Sequence, residues 1–383
     1  MNIAIIHLNA GRGSGEVSRQ QARYLLSRGC TVYFMHPGKP VSPEGAEHVD
    51  IPLHAPLTPV HEYLPSAGEH QQQVGRMSYD TAMRYLEDYE KALEAVIDRV
   101  DIVFGHHANI TAIATARACR KAGKPYALFL HGTGIEPRHH GLYDDRIWAM
   151  IEDAIRGADG VYVTTEYVRD CLVQPLLDLP LDRFLVLPCA IDIEAFNAAD
   201  VPGIRRKYKL PERYVICPGA LTAVKGPQNI VAASRAYADL AQTVFIGGGE
   251  LHDEIERDIG ERGSVLGFVP AEDKNALIKA ASILTAAPEK LEHFGIIYAE
   301  ALAAGTVPVS YEGGGVASVI SEDTGILTER NPEALGAAIR GLLEAPDRLE
   351  RMGSRGRRRA EEHFAWDRLG EVLLDWLAGL ASG

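Results

Sequence analysis

Short runs of β-branched and apolar residues alternate with helix-forming stretches along almost the whole chain. This alternation is typical of parallel strands joined by crossover helices. The strands predicted in the first half are Ile3–Leu8, Thr31–Met35, Asp101–Gly105, Tyr126–Leu130, Gly160–Thr164 and Phe184–Leu187. Those predicted in the second half are Tyr214–Cys217, Thr243–Ile246, Ser264–Leu266, Ile283–Thr285, Val307–Val309 and Ile326–Leu327. Two doubly wound α/β units of similar size are therefore expected.

The length of the chain agrees with two domains, since its 383 residues exceed the roughly 100–200 residues of one typical domain. The predicted domains are residues 1–190 and 191–365, and a C-terminal helix at 366–383 is predicted to return to the first domain. Pro37–Pro65 interrupts the pattern with seven prolines in 29 positions. We interpret it as a long loop, either a surface excursion or a segment that binds an acceptor.

Charge and cysteine usage exclude several classes of function. With 39 basic against 52 acidic residues, the formal net charge is −13, which disfavours binding to a nucleic-acid backbone. The five cysteines stand singly without zinc-type spacing, as expected for reduced thiols in a cytoplasmic protein. No secretory leader or membrane-spanning stretch is recognised, so a cytoplasmic protein is expected, and peripheral contact with a membrane stays open.

A glycine-rich loop after the first predicted strand is a candidate phosphate site. It reads Gly11-Arg12-Gly13-Ser14-Gly15 and opens a helix. Glycines let a phosphate approach the backbone, and a helix N-terminus offers oriented N–H groups. The dinucleotide pattern G-x-G-x-x-G is not met, because Glu16 stands where the third glycine belongs. Nicotinamide cofactors are therefore not expected, and a tight turn without a ligand remains the alternative.

The loop after the first strand of the second half carries a lysine at a place suited to an anion. It contains Gly219, Thr222 and Lys225, and Gly226-Pro227 follows. Ligands of doubly wound folds bind at this edge of the sheet, and Lys225 immediately precedes a predicted helix. Lys225 is therefore a candidate for binding a diphosphate, with a solvated surface lysine as the alternative.

Two glutamates eight residues apart form the most specific pattern in the chain. Glu292 precedes a turn at Phe294-Gly295, and Glu300 lies inside the small-residue helix that follows. A carboxylate on such an apolar helix requires partners when it is buried. Vicinal ribose hydroxyls would supply two donors to Glu300, while the amides of Phe294–Ile297 could receive phosphate or sugar oxygens. Hydrogen bonds from the neighbouring backbone are the alternative for Glu300.

These residues resemble a known family, the retaining family-4 glycosyltransferases of the GT-B fold. Its E-x7-E signature is matched by Glu292 and Glu300, including the internal Phe-Gly and the residues that trail to Val309. The resemblance runs nearly end to end. Further similar segments are Gly13–Gly15, Leu187–Phe196, Ile246–Leu251, Leu266–Val269 and His363–Trp366. The fold that this resemblance implies is two Rossmann-like domains facing across a cleft.

The resemblance implies a role for each matching residue. In the second domain, Glu300 would bind the ribose, Lys225 the diphosphate, and Glu292 the donor sugar. From the first domain, Gly15 would approach the diphosphate and His131 would lie near the reacting sugar. The implied catalytic residues are His131, Lys225 and Glu292, and the implied binding residues are Gly13, Ser14, Gly15, Gly219, Thr222, Phe268, Val269, Phe294, Gly295, Ile296 and Glu300.

The function implied by the resemblance is transfer of a sugar, with retention of configuration, from a nucleotide diphosphate sugar to a hydroxyl acceptor of unknown class. UDP is expected ahead of GDP as the nucleotide. No cofactor is implied, and without an Asp-x-Asp motif no metal site is expected. The alternatives are a sugar-nucleotide epimerase, a glycosidic phosphorylase of the same fold, or an inactive relative that only binds a nucleotide sugar.

One departure from the family pattern bears on activity. The family has G-R-L-x-x-x-K-G before the diphosphate site, and Ala220 stands at the place of its arginine. Loss of this bidentate donor weakens donor binding or stabilisation of the leaving group unless another residue replaces it. The candidates for replacement are Arg12 and Thr222. Ser318 likewise replaces the glutamate of the family's G-G-x-x-E segment, where only a structural effect is expected.

Overall fold

The structure is a computed structural model that describes residues 1–9, 13–39, 41–61 and 70–383. Among these residues the chain divides into two compact units. The first comprises residues 1–61, 70–188 and 367–383, and the second comprises residues 189–366. Of the glycine-rich loop, Gly13, Ser14 and Gly15 are described, whereas Gly11 and Arg12 lie outside the described residues.

The first unit is built on a parallel sheet. Its strands are β1 (Asn2–Ile6), β2 (Thr31–His36), β3 (Glu47–Asp50), β4 (Thr58–Val60), β5 (Gln71–Gln73), β6 (Ile102–His106), β7 (Tyr126–Leu130), β8 (Gly160–Val163) and β9 (Phe184–Val186). In the described part of the chain, seven of them pair in the order β3-β2-β1-β6-β7-β8-β9, and β4 pairs with β5. The chain therefore winds outward on both sides of β1, and the direction of winding switches between β1 and β6.

Helices cover this sheet. They are α1 (Gly13–Ser27), α2 (Tyr79–Glu94), α3 (Ile110–Ala122), α4 (Glu136–His139), α5 (Asp145–Arg156) and α6 (Gln174–Leu177). The most deeply buried is α3, an alanine-rich helix. The Asn109 side chain caps its first turn by accepting from the Thr111 amide, and Gly123 ends it in the left-handed conformation.

The second unit repeats this winding. Its strands are β10 (Tyr214–Pro218), β11 (Gln242–Ile246), β12 (Gly263–Val265), β13 (Ile283–Ala286), β14 (Val307–Tyr311) and β15 (Ile326–Thr328). Its helices are α7 (Ile193–Asn197), α8 (Val201–Lys207), α9 (Pro227–Ala233), α10 (His252–Ile259), α11 (Ala271–Ala280), α12 (Ile296–Ala304), α13 (Pro332–Leu343) and α14 (Pro346–His363). The described strands pair in parallel in the order β12-β11-β10-β13-β14-β15. The winding switches between β10 and β13, as it does between β1 and β6.

The last helix, α15 (Trp366–Ser382), packs within the first unit from Asp367 onward. The Trp376 ring meets Phe104 and Tyr162 edge-on, with ring centroids 6.4 Å away in both cases. Trp376 occupies the space above Gly160, where an added Cβ atom would lie 2.5 Å from the indole. The absence of a side chain at position 160 therefore makes room for α15. Across the described residues, no helix is both long and apolar enough to cross a membrane.

The two predicted series of strands are confirmed, and both form doubly wound parallel sheets. The prediction for Pro37–Pro65 was wrong in one respect, because this segment contains β3, which pairs with β2 through Phe34 and His48. The sequence Glu47-His48-Val49-Asp50 has only one apolar residue, so no strand pattern was visible there.

Candidate functional site

The neighbouring strands β10 and β13 bring the two predicted binding loops of the second unit together. Their register pairs Ile216 with Leu284, so the loops that follow both strands leave the same edge of the sheet. The first loop carries Gly219, which is exposed, and Thr222, which is buried. This edge lies at the switch point of the sheet, where ligands of doubly wound folds bind.

Lys225 and Glu292 form an ion pair at this edge. Lys225 Nζ donates to Glu292 Oε1 at 2.7 Å, and the two side chains remain 43% and 24% exposed. Gly226 allows the loop after β10 to lie close to the loop after β13. It adopts a φ of +62°, and an added Cβ would lie only 2.0 Å from the Ala287 carbonyl oxygen. The predicted pair is thus in contact, and both side chains stay accessible to a ligand.

Further hydrogen bonds hold the loop before Glu292. Asn229 Nδ2 donates to the Ala287 carbonyl at 3.1 Å and to Glu289 Oε1 at 2.8 Å. Arg330 Nη2 donates to the Pro288 carbonyl at 2.6 Å. Sequence reasoning missed Asn229 and Arg330, because neither belongs to a local pattern. Together they hold the Ala287 and Pro288 carbonyls in the loop that leads to Glu292.

Helix α12 starts at the predicted turn. Gly295 precedes its first residue with a φ of +87°, a conformation that favours glycine. Phe294 is buried and meets the Phe364 ring edge-on, with a centroid distance of 6.0 Å. The Tyr298 amide donates to the Gly295 carbonyl at 3.0 Å, whereas the amides of Ile296 and Ile297 precede the first hydrogen bond of the helix and lie at its positive end. They form a suitable place for a phosphate or sugar oxygen beside Glu292.

Glu300 is the fifth residue of α12, just over one turn from its start, and is paired with Lys274 of α11. Lys274 Nζ donates to Glu300 Oε1 at 2.6 Å, and the Glu300 side chain is only 14% exposed. Its second oxygen, Oε2, is buried and accepts no hydrogen bond from any described residue. A buried carboxylate oxygen without a donor is unfavourable. Glu300 therefore offers one open acceptor oxygen, where the sequence analysis expected two.

Phe268 is the most exposed large apolar side chain among the described residues, at 82%. It follows β12 and lies over Gly248, where an added Cβ would come within 2.6 Å of the ring. Val269 beside it is half-buried. Both belong to the segment that joins β12 to α11, the helix that carries Lys274. The predicted binding residues Phe268 and Val269 are thus linked to Glu300 through α11 and its Lys274.

Ala220, at the position where the family has an arginine, is half-buried in the loop after β10. Thr222 beside it is buried, and its carbonyl accepts from the Lys225 amide at 3.0 Å. Thr222 is thus bonded through its backbone to the turn that carries Lys225. The other proposed replacement, Arg12, lies outside the described residues.

In the first unit, the predicted residue His131 belongs to a cluster of histidines at the edge where β1, β6 and β7 end. His106 Nδ1 and His131 Nε2 are hydrogen-bonded at 3.0 Å. His107 stacks on His131 with ring centroids 4.2 Å apart and meets His7 edge-on at 4.9 Å. Sequence analysis gave His7 no role. His7 directly follows β1, beside the switch point of the sheet, and this position is the sequence signal that would have identified it.

Burial favours the neutral form of three of these histidines, His7, His106 and His107. It lowers the pKa of His7 and of His107 well below the usual histidine value, with smaller contributions from neighbouring histidines. Burial also lowers the pKa of His106 to about 3. His107 in addition has a φ of +73°, a left-handed conformation that costs free energy in a residue with a side chain. Such local strain is characteristic of functional sites.

The cluster also contains the one group of described residues spaced for a metal ion. One nitrogen each from His7, His107 and His131 lies within 4.8 Å of the other two. His7 Nδ1, however, accepts from the Asn9 amide at 3.2 Å, so the neutral ring carries its proton on Nε2. That protonated nitrogen is buried without an acceptor among the described residues. It suits a hydroxyl or water better than a metal, and a metal-free site stays a prediction.

The predicted glycine residues of the first unit open α1. Gly13 is its first residue and is exposed, Ser14 is half-buried and Gly15 is buried. The Ser18 hydroxyl donates to the Gly15 carbonyl at 2.8 Å, which ties that carbonyl into the first turn. The amides at this end of α1 belong to a helix N-terminus, as the sequence predicted.

Comparison with known families gives two matches that together span most of the chain. The model of the glycosyl transferases group 1 matches residues 201–359, and that of glycosyltransferase family 4 matches residues 11–195. A D-inositol 3-phosphate glycosyltransferase of Xylanimonas cellulosilytica is 27% identical over 242 residues, or 58% of each chain. A GDP-mannose-dependent phosphatidylinositol dimannoside mannosyltransferase of Mycobacterium tuberculosis is 27% identical over 229 residues, again 58% of each chain. The chain thus spans less than two thirds of these relatives.

Solved structures resemble the whole chain. Sucrose-phosphate synthase from Thermosynechococcus elongatus superposes with a TM-score of 0.80 and 18% identity, covering 100% of this chain and 99% of that one. At this identity the likeness concerns the fold, which is the two-domain α/β architecture described above.

Proposed function

We propose a function from the premise that this chain belongs to the group 1, family-4 glycosyltransferases and has the GT-B fold. The proposed function is the transfer of a sugar from a nucleotide diphosphate sugar to a hydroxyl acceptor with retention of configuration. The observation that carries the proposal is the pairing of Lys225 with Glu292 at 2.7 Å, beside the N-terminus of α12. This arrangement places a cation, a carboxylate and unbonded amides at one edge of the sheet.

The donor is assigned to these groups by their chemistry. Lys225 and the first amides of α12 carry positive charge and suit the diphosphate. Glu300 presents its open oxygen Oε2 to a ribose hydroxyl. Glu292 accepts from Lys225 through Oε1, which leaves Oε2 for a hydroxyl of the donor sugar. Phe268 offers an exposed ring to the base.

In the proposed mechanism, the acceptor hydroxyl attacks the sugar on the face from which the diphosphate departs, so no enzymic nucleophile is needed. Catalysis then consists of positioning and of stabilising the charge on the leaving diphosphate. Lys225 supplies a positive charge that stabilises the diphosphate. Because no arginine stands at position 220, Lys225 provides a larger share of this stabilisation. His131, which is hydrogen-bonded to His106 at 3.0 Å, would contact the reacting sugar.

The nucleotide is proposed to be UDP, with GDP as the competing choice because one relative is a GDP-mannose-dependent enzyme. Thermal-shift titration with UDP, GDP, ADP and their sugars decides between them, since a ligand that binds only the native state raises the melting temperature. Turnover is then measured with radiolabelled donor, with and without a pool of hydroxyl acceptors. Glu300→Ala is expected to abolish donor-dependent transfer while the protein remains folded, and unchanged turnover would refute the proposal.

Ala220 favours a second candidate function, a relative that binds nucleotide sugars without catalysis. Here a nucleoside diphosphate would raise the melting temperature, but neither transfer nor hydrolysis would be detected with any acceptor. The same two measurements therefore separate the two candidates.

A further inference from the structure

Lys274 stands where no family pattern placed a functional residue. It is the fourth residue of α11, which begins directly after the segment that carries Phe268. Its Nζ donates to Glu300 Oε1 at 2.6 Å, and its side chain remains 33% exposed. The ammonium is therefore beside the ribose-binding carboxylate and still open to a ligand.

This ion pair changes what Glu300 can offer. A free carboxylate has two oxygens and accepts from both hydroxyls of a vicinal diol. Here Oε1 is already held by Lys274, while Oε2 is buried without a described partner. The ammonium has three N–H groups, of which Glu300 uses one. The Lys274–Glu300 pair thus offers a ligand one acceptor, Glu300 Oε2, next to the remaining donors of Lys274 Nζ.

We propose that Lys274 positions Glu300 for recognition of the ribose diol, so that one hydroxyl donates to Glu300 Oε2 and the neighbouring hydroxyl accepts from Lys274 Nζ. This inference rests on the proposed function and deepens it, because it makes the Lys274–Glu300 pair the element that selects ribonucleotides over deoxyribonucleotides. Removing either a ribose hydroxyl or the ammonium leaves one member of the pair without its partner.

The test measures dissociation constants by calorimetry for UDP, GDP and ADP and for the 2′-deoxy form of whichever binds most tightly. The wild-type protein is expected to bind the ribonucleotide at least about tenfold more tightly than its 2′-deoxy form. In Lys274→Met, affinity for the ribonucleotide is expected to fall about tenfold and the preference for it to shrink below about threefold. Lys274→Arg, which keeps a donor, is expected to retain most of the preference.

Turnover separates positioning from a general structural role. With saturating donor, Lys274→Met is expected to keep kcat within about threefold of the wild type while KM for the donor rises about tenfold. The matched control is Lys207→Met, which removes the 2.5 Å ion pair to Asp273, the neighbour of Lys274 on α11. This control is expected to leave the preference for ribose unchanged. Circular dichroism checks folding, and Lys274→Leu, which also lacks a donor, replaces Lys274→Met if the latter does not fold.

The outcomes are distinct. If the wild-type protein binds none of the nucleotides, both the proposed function and this inference are wrong. If it binds them but Lys274→Met or Lys274→Leu keeps the wild-type preference for ribose, only the inference is wrong. A loss of preference in Lys207→Met as well would also overturn the inference, because the effect would then belong to α11 as a whole.

Discussion

Lys225 Nζ lies 2.7 Å from Glu292 Oε1, although 67 residues separate them in the chain. The contact arises because β10 and β13 are neighbours in the sheet and the loops after them leave the same edge. Both side chains are partly exposed, so the pair contributes little to stability. Its position at the binding edge of the sheet is better explained by a ligand that competes for the same ammonium.

Replacement of Lys225 by methionine should therefore separate activity from stability. Loss of the cation is expected to lower kcat/KM about 10²- to 10³-fold, as for removal of one charge-stabilising group in other enzymes. The free energy of unfolding should change by less than about 1 kcal/mol, because the ion pair is partly exposed. Steady-state kinetics and urea unfolding measure the two quantities. Arg340→Met, which breaks an exposed ion pair to Asp239, is the control, and equal kinetics in both variants would contradict the assignment.

Placing an arginine at position 220 tests how much the family's arginine would add to the binding of a nucleoside diphosphate. A guanidinium beside a diphosphate forms bidentate, charge-assisted bonds, so Ala220→Arg is expected to tighten nucleoside diphosphate binding about tenfold. Ala220→Gln adds a side chain without charge and serves as the control. Calorimetry with the best nucleotide gives the affinities. No gain from the arginine would indicate that another residue already occupies its role.

The Phe268 ring, 82% exposed over Gly248, is expected to stack on the nucleotide base. Stacking of a base on an aromatic ring contributes about 1–3 kcal/mol by alanine substitution, so Phe268→Ala should weaken nucleotide binding roughly 5- to 150-fold. Phe268→Tyr keeps the ring and should bind as the wild type does. Because the ring is exposed, neither change should alter the melting temperature without ligand. Unchanged affinity in Phe268→Ala would remove this residue from the site.

Much of this site followed from the sequence because its residues lie in local patterns. The spacing of Glu292 and Glu300 and the loop before Gly226 predicted two binding segments. The doubly wound strand order then implied that those segments lie at one edge. The contact between Lys225 and Glu292 adds distance and geometry to that prediction.

Residues that contribute through long-range contacts could not be predicted. Lys274 is one charged residue among several on α11, and only the packing of that helix near α12 brings it to Glu300. His7 follows β1 as a single polar residue, and only the fold brings it into contact with His106 and His107, about 100 residues later. The strand β3 was missed because its pairing with β2, rather than its composition, stabilises it.

The close packing of Trp376 over Gly160 predicts opposite effects for two glycine substitutions. An added Cβ at position 160 would lie 2.5 Å from the indole, so Gly160→Ala should destabilise the protein by about 1–3 kcal/mol through overpacking. At Gly341, an exposed position inside α13, nothing lies within 4 Å of an added Cβ, and Gly341→Ala should stabilise by about 0.5–1 kcal/mol. Urea unfolding followed by tryptophan fluorescence measures both. A destabilised Gly341→Ala or an unaffected Gly160→Ala would contradict this account of the packing.

Acid should destabilise the first unit through its buried histidines. Burial lowers the pKa of His7, His106 and His107 in the folded chain, whereas in the unfolded chain each binds a proton near pH 6.5. Below that pH the unfolded state takes up protons that the folded state does not, so the free energy of unfolding falls as the pH falls. Between pH 6.5 and 5.5 the three together should remove about 3 kcal/mol.

Urea unfolding at pH 7.5, 6.5 and 5.5 measures this loss, and the variant His107→Gln should show a smaller slope, since one of the three titrating groups is gone. The exposed His140 provides the matched control, because His140→Gln removes a histidine that solvent reaches in both states. Its slope should equal that of the wild type. A wild-type protein equally stable at pH 7.5 and 5.5 would show that the cluster takes up protons in the folded state, and the neutral imidazoles assigned here to His7 and His107 would be wrong.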